Sequence, residues 1–476
     1  MVGITSYGAY IPFHRLPRSM VSQAWDNPAL MGPGELAIKN YDEDCLTMAV
    51  EASIDCLKGA DRSKVDGFYL GTTNFPYKEK MVSTIGAQAL DLRTEIRTAD
   101  FANSLRVGVS ALLSAIDAIN AGSMKSVLVA ASDSRPTQVN GDFEVTFGDG
   151  AAALLLGDTD IVATVEGTYS ISHEFTDFWR GYTDTFVRAW EDRFNLDEGY
   201  RKVLPEAVKA ILDKYSLTIK DITKVCYYGP SARRHREAAR ALGITPEQVQ
   251  DGLLENVGNT GTALPLMMLV AALEEAKPGD RILVVGYGNG CDLILLKVTE
   301  QIEKIKKGRL GIKGHLASKK QIPSYEKYLI WRELVPISPA ARPETMPTSV
   351  SAMYRERQMN ISLYGGKCKV CGAQTYPAQR VCVMCHAKDN FEPVRICDKK
   401  ATIFTFTNDY LALSADPPAT VTYVDIEGGG RADFDMTDRV PDEVTVGMSV
   451  EFTFRRLYYD RGVNNYWWKV RPVRGG

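Results

Sequence analysis

Four cysteines carry the most explicit chemistry in the chain. In CKVCGAQTYPAQRVCVMC, Cys368, Cys371, Cys382 and Cys385 are spaced C-x2-C-x10-C-x2-C. Each pair can close a short knuckle that aims two thiolates at one ion, and four thiolates make a closed tetrahedral site. Zinc suits this donor set, and an iron site of rubredoxin type uses the same one. A closed site has no open position for water or substrate, so its expected work is to staple a small fold. His386 follows the last cysteine and is read as a surface residue.

The remaining thiols read differently. Cys45 and Cys56 lie on an apolar helical stripe, Cys226 ends a strand-like run, and Cys291 follows the glycine-rich turn GYGNG at 286–290. A free cysteine is most often a small buried hydrophobe. Cys291, nearest the turn, is kept as an alternative nucleophile. The turn is no dinucleotide fingerprint, because no G-x-G-x-x-G opens a helix there. In SARRHREAARALG, Arg233, Arg234, His235 and Arg236 form a basic run that reads as the solvated face of a helix.

The elements that must position these residues fall into distinct textures. The 476 residues exceed what one core accommodates, so two or three domains are expected. Apolar residues make up 45% and charged residues 24%, with a net charge of −3. That balance argues against a general nucleic-acid or membrane-surface binder. No apolar run reaches the roughly 18 residues of a membrane span, and the first residues do not read as a secretory signal, so a cytoplasmic location is expected. Nine cysteines then point to metal or buried thiols before disulfides.

Residues 1–298 alternate between strand and helix patterns. SALLSAIDAINAGSMKSVLVAASD (110–133) is a helix, a Gly turn and a buried strand; LMMLVAALEEAKPGDRILVVGYGN (266–289) repeats that order at nearly the same lengths. A second strand follows each, AAALLLGD (151–158) and DLILLKV (292–298). Continuous apolar strands suit a sheet covered on both faces. Packing two such units together buries both, so an internal duplication is one reading; two unrelated helix–strand units is the other. The expected divisions are 1–165 and 166–298 for the halves, 299–350 for a Lys- and Pro-rich linker with some helix, 351–397 for the ribbon and 398–476 for a small β-barrel. Arg455, Arg456, Tyr458, Tyr459, Trp467 and Trp468 could serve nucleic acid on such a barrel, although strand aromatics near a chain end more often pack inward.

From about residue 340 the chain resembles the OB-fold, acyl-CoA-associated zinc-ribbon family, on the four cysteines, the preceding NISLYGGKC and the strands that follow. Members accompany thiolase-like enzymes as separate subunits or fusions. Residues 1–298 resemble 3-hydroxy-3-methylglutaryl-CoA synthases of the thiolase superfamily, on VGITSYGAYIP (2–12), DEDCLTMAVEA (42–52), FGDGAAALLLG (147–157), TDFWR (176–180), NVGNTGTALPL (256–266) and AKPGDRILVVGYGNG (276–290). The resemblance implies an α/β chain: a duplicated five-layered thiolase-like fold, followed by a zinc ribbon and a small OB-type barrel. It also implies structural zinc, CoA as part of the substrate, a homodimer and room for an additional enzyme subunit.

Against that family's pattern three residue types change. The attacking Cys, three residues before a Gly, would fall at Leu105 before Gly108, with Ser104 beside it. The Glu position, in GTTNFPY, is Thr73, and the His position, in YYGPS, is Tyr228. Asn259 and the turn holding Tyr287 and Gly288 remain. Leu cannot form a thioester, so the first reading is a carbon–carbon lyase or synthase of aldol type acting on a 3-hydroxyacyl-CoA, as in thiolase-like proteins that lack the Cys and use tyrosines. Tyr228 would be the base, its pKa lowered by its surroundings, with Asn259 and the backbone near Gly288 holding the enolate oxygen and Tyr227 and Tyr287 as weaker candidates. A core tyrosine filling the place of a lost His is the other reading of Tyr228. Arg233 and Arg234 could meet CoA phosphates. Two further readings of function stand beside the first: an acyltransferase using another Cys, and a non-catalytic acyl-CoA-binding scaffold.

Overall fold

The computed structural model describes residues 1–305, 308–338 and 347–475. The end of the Pro-rich stretch, 339–346, and Lys306, Lys307 and Gly476 lie outside the described residues. The described chain forms two units, one of Met1–Lys39, Asp44–Ala87 and Leu92–Tyr328, the other of Leu329–Gly476 joined by Asn40–Glu43 and Gln88–Asp91.

Nine strands build the sheet of the first unit: β1 (Gly3–Tyr10), β2 (Gly67–Gly71), β3 (Arg97–Phe101), β4 (Ser126–Asp133), β5 (Gly150–Gly157), β6 (Ala163–Ser172), β7 (Lys224–Tyr227), β8 (Arg281–Tyr287) and β9 (Gly290–Val298). Their spatial order is β7-β8-β9-β6-β1-β5-β4-β2-β3. Outward from the middle, one side runs β1-β5-β4-β2-β3 and the other β6-β9-β8-β7. On each side the outer pairing is parallel (β2 with β4, β7 with β8) and the next antiparallel (β4 with β5, β8 with β9). The order is thus repeated, which is what duplication requires. Among the described residues the second half shows no counterpart of β3, and a single parallel bridge, Val225 to Val249, stands at that edge. The halves join through the short pairing of Gly3 and Ile4 with Thr164 and Ala163.

The strands are apolar throughout because helices cover them. β5 is buried along its whole length, and β4 at every residue but Ser126. The helices that matter for the site are α1 (Cys45–Cys56), α2 (Val107–Asn120), α3 (Arg201–Lys214), α4 (Ala232–Ala241) and α5 (Leu264–Glu275). α5 is buried from Leu264 to Leu273 and carries no polar face, as a helix inside a layered core must. Pro265 in its first turn sacrifices no helical hydrogen bond. α1 begins at a capping box, where Asp44 Oδ1 accepts from Thr47 N (2.9 Å) and Thr47 Oγ1 accepts from Asp44 N (2.9 Å). Between 308 and 328, Ile312, Ile322, Tyr325 and Tyr328 are buried within the first unit.

In the second unit a three-stranded antiparallel ribbon (Gln374–Thr375, Tyr364–Cys368, Phe391–Arg395) precedes a five-stranded sheet. That sheet comprises β10 (Ala401–Asp409), β11 (Ala419–Ile426), β12 (Arg431–Asp435), β13 (Ser449–Asp460) and β14 (Val463–Pro472), in the order β12-β11-β10-β13-β14. Met436, just past β12, bridges in parallel to Val470 of β14, so the two edges of the strip meet. Arg455 and Trp468, considered above for nucleic-acid contact, are buried. Arg455 instead pairs with Glu43 (2.7 Å), Asp438 (2.6 Å) and Asp42 (3.3 Å). Three carboxylates satisfy the one guanidinium, which a buried cation needs to be tolerated.

Candidate active site

The site of the first unit is built where the polar ends of apolar strands converge. Leu105 lies in the turn leading into α2, is 7% exposed, and belongs to the hydrophobic core. Ser104 Oγ donates to the carbonyl of Gly288 at 3.1 Å. The approach is close enough that a Cβ at Gly288 would stand 2.6 Å from Ser104 Oγ and 3.0 Å from Leu105 N. Only glycine fits there, so the turn GYGNG and the Leu105 turn are held face to face. Gly108 repeats the device one turn on. A Cβ there would meet the Thr262 carbonyl at 2.9 Å, and its N–H donates to Thr262 Oγ1 at 2.7 Å.

Tyr228, just beyond β7, is fully buried. Its phenol oxygen accepts from Asn259 Nδ2 at 2.9 Å, and Asn259 Oδ1 in turn accepts from Gly261 N at 2.9 Å. Tyr200 donates to the Tyr228 carbonyl at 2.7 Å. The Tyr228 and Tyr287 rings stack at 6.1 Å, and Tyr200 meets Tyr287 edge-on at 5.2 Å. Four of the residues singled out from sequence are thus brought into two contacting pairs, Tyr228 with Asn259 and Ser104 with Gly288.

The expectation of a lowered Tyr228 pKa is corrected. Burial pushes the phenol above its usual value, while Arg135 and the Asn259 hydrogen bond pull the other way. Tyr287 is pushed up as well, by burial and then by Asp177, to which its hydroxyl is hydrogen-bonded. Both tyrosines are therefore neutral at rest near pH 7.

Thr73 is tied to a carboxylate that sequence reasoning missed. Asp133, ending β4, is fully buried. Its Oδ1 accepts from Thr72 Oγ1 (3.0 Å), Thr73 N (2.8 Å) and Thr73 Oγ1 (2.9 Å), and its Oδ2 from Thr262 N (2.9 Å). Burial pushes its pKa up and these donors push it down. Arg135 and Asp177 were also missed. Arg135 is 4% exposed, with its guanidinium carbon 3.9 Å above the Phe147 ring centroid. Asp177, in TDFWR, is buried, and its Oδ1 accepts from Phe178 N at 2.7 Å. One signal was available in ASDSR: an acid and a base closing an apolar strand have little solvent to reach.

Other expectations fall elsewhere. The helix bearing the basic run, α4, is not solvated at His235. That residue is 5% exposed, stacked on Tyr227 at 4.2 Å, and its pKa is lowered by burial to about 4. Arg233 bonds Glu237 at 2.9 Å, and Arg234 is held by Glu237 (3.0 Å) and Asp192 (2.9 Å), so neither guanidinium is idle. Cys291 lies within β9, is fully buried, and burial drives its thiol pKa up. Burial likewise lifts Cys45 and Cys56 to about 12. Thiols in this state are not nucleophiles near neutral pH.

In the ribbon, the sulfurs of Cys368, Cys371, Cys382 and Cys385 all lie within 4.8 Å of one another. Cys368 and Cys385 are 3.6 Å apart, and Cys371 and Cys382 are 3.5 Å apart. A tetrahedral Zn–S₄ site with bonds of about 2.3 Å needs sulfurs about 3.8 Å apart, so the set fits zinc. Cys371→Ser is expected to abolish bound zinc and to unfold the ribbon, read by metal analysis of the purified protein and by its melting curve. Full zinc content in that variant would remove Cys371 from the ligand set.

Comparison with known proteins places this geometry. Models of 3-oxoacyl-[acyl-carrier-protein] synthase III match residues 100–170, and of its C-terminal part residues 212–295. The fold is shared with a crystal structure of HMG-CoA synthase complexed with CoA (TM-score 0.60, 19% identity, 69% of this chain and 89% of that one) and with 3-oxoacyl-[acyl-carrier-protein] synthase III from Aquifex aeolicus (TM-score 0.56, 20% identity, 62% and 100%). The first unit is therefore a thiolase-like enzyme fold. Hydroxymethylglutaryl-CoA synthase of Caldivirga maquilingensis is 31% identical over 345 residues, covering 70% of this chain and 98% of that protein. That of Methanopyrus kandleri is 32% identical over 315 residues, covering 64% and 90%. The chain belongs to the hydroxymethylglutaryl-CoA synthase family and carries in addition a ChsH2-type, rubredoxin-like zinc ribbon at residues 361–392.

Proposed function

We propose that this protein makes or breaks a carbon–carbon bond in a 3-hydroxyacyl-CoA by an aldol or retro-aldol step, without an acyl-enzyme. The observation that carries the reading is the pairing of Tyr228 with Asn259 in a site whose turn presents Leu105 to Gly288. A leucine offers no lone pair, and the thiols of the first unit are buried. The chemistry needs no nucleophile. In cleavage, the Tyr228 phenolate takes the β-hydroxyl proton. The Cα–Cβ bond breaks, its electron pair passes into the thioester as an enolate, and the β-carbon leaves as a carbonyl. The phenol then returns the proton to Cα, which regenerates the phenolate. Asn259 Nδ2 is suited to steady the Tyr228 oxygen, whereas the Gly288 N–H, expected to hold the enolate oxygen, is bonded to the Gly290 carbonyl at 2.9 Å.

CoA as the carrier rests on the substrates named for the relatives. A homodimer is expected by the same likeness. The five-stranded sheet is read as an OB-type barrel, supported by its strand order and by the parallel Met436–Val470 bridge. The ribbon zinc would supply a structural staple and no chemistry.

The test is a panel of 3-hydroxyacyl-CoAs and of acyl-CoA plus carbonyl acceptors, with products followed by mass spectrometry. Cleavage or condensation is expected, with no radiolabel from acetyl-CoA retained after denaturation. Label on any cysteine would establish acyl-enzyme chemistry instead, and binding without turnover across the whole panel would leave a scaffold. Because the phenol is pushed up by burial, the phenolate fraction rises tenfold per pH unit below its pKa. The rate is expected to climb with that slope from pH 7 to 9, and a flat profile would exclude Tyr228 as the base.

A further inference from the structure

Arg135 is a buried cation with no carboxylate in direct contact among the described residues. Its Nη1 has no hydrogen-bond partner, and it forms no ion pair among the described residues. Asp133 and Asp177 attract it from a distance, but their oxygens are held by other donors. Both oxygens of Asp133 are taken by Thr72, Thr73 and Thr262, and Asp177 is engaged by Phe178 N and Tyr287. The guanidinium lies over Phe147 at 3.9 Å, with Phe178 at 5.5 Å, so little solvent screens it. Such a group is expensive to keep unless an anion comes to it.

One fully buried group beside it can become that anion. Tyr228 faces the guanidinium, and its oxygen already accepts from Asn259. The cation and the Asn259 N–H offset part of the burial that otherwise holds this phenol protonated. We propose that Arg135 is a positioning residue whose counter-ion is the Tyr228 phenolate that takes the substrate proton and is regenerated at the end of turnover. This rests on the reading of Tyr228 as the proton carrier. The groups that bear on the phenol are Arg135 and Asn259, which favour the phenolate, and Asp133 and Asp177, which oppose it; Tyr200 and Tyr287 pack against it and are neutral.

The inference can be read without any substrate. Incorporating a difluorotyrosine at position 228 brings the phenol's titration into an accessible range, where the phenolate is followed by its near-ultraviolet absorbance. Arg135→Met and Arg135→Gln are each expected to move that midpoint up by about 1 to 3 pH units, and Arg135→Lys by less. Either neutral variant suffices. The melting curve of each variant serves as the folding control, since Asp133 and Asp177 lose a countercharge when Arg135 is removed. A midpoint unmoved in the neutral variants overturns the inference. In turnover, the neutral variants should lose about 10- to 1,000-fold in kcat at fixed pH with little change in KM, and Arg135→Lys should recover most of it. Failure of the wild type to turn over any 3-hydroxyacyl-CoA would overturn the proposed function and leave the titration result standing on its own.

Discussion

Tyr228→Phe is expected to lower kcat for a 3-hydroxyacyl-CoA by about 100- to 10,000-fold, the usual worth of a positioned proton carrier. The substitution deletes one oxygen and leaves the ring stacked on Tyr287. Asn259 Nδ2 keeps the Pro230 carbonyl at 3.3 Å, so the lost hydrogen bond should lower stability by only about 1 kcal/mol. KM should change little, since the phenol binds the substrate no more tightly in the ground state than it must to take the proton. Steady-state kinetics with product detection measures the loss, while zinc content and the melting curve serve as controls. Turnover within a factor of three of the wild type would take Tyr228 out of the mechanism, whatever the fold says.

The second large effect concerns the frame. Asp133→Ala is expected to reduce stability by at least about 4 kcal/mol. Four donors, the Thr72 hydroxyl, the Thr73 N–H and hydroxyl, and the Thr262 N–H, would lose their acceptor at a site where Asp133, Thr72 and Thr262 are buried and Thr73 is half-buried. Each buried unmet donor is worth roughly 1 to 3 kcal/mol. Three of these donors follow β2 and one opens the approach to α5, so this carboxylate ties the two halves of the duplication together at the site. Asp133→Asn keeps the shape but turns one acceptor into a donor, and an intermediate loss is expected. Urea denaturation reads both. A loss under 1 kcal/mol for the alanine variant would mean that the cluster is hydrated and that its donors find water.

Much of the fold was legible because its signals are local. The C-x2-C-x10-C-x2-C spacing defines the ribbon without reference to anything distant. The two helix–turn–strand stretches at 110–133 and 266–289 announce the repeat that the sheet order then displays. The missing fifth strand of the second half was not legible. Its only trace is one bridge at Val249, and a bridge has no periodicity to read. At the site, Tyr228, Asn259, Ser104 and Gly288 were found through likeness to a family, by position rather than by physics. Asp133, Arg135 and Asp177 escaped because a single charge at the end of a buried strand looks like a turn residue until the layers above it are known. His235 was misread for a related reason. Four arginines on one helix suggest solvent on every side, yet His235 among them stacks on a tyrosine ring. Composition averages over the faces of a helix, and packing does not.

The distribution of sulfur has a practical consequence for anyone working with the protein. Cys45, Cys56, Cys226 and Cys291 are sealed inside the first unit, whereas in the second Cys371 and Cys385 reach the surface and Cys397 is half-buried. Alkylating reagents applied to the native chain will therefore sample the second unit first. Inhibition by iodoacetamide, the habitual diagnosis of a condensing enzyme, would here first report modification of the second unit's thiols.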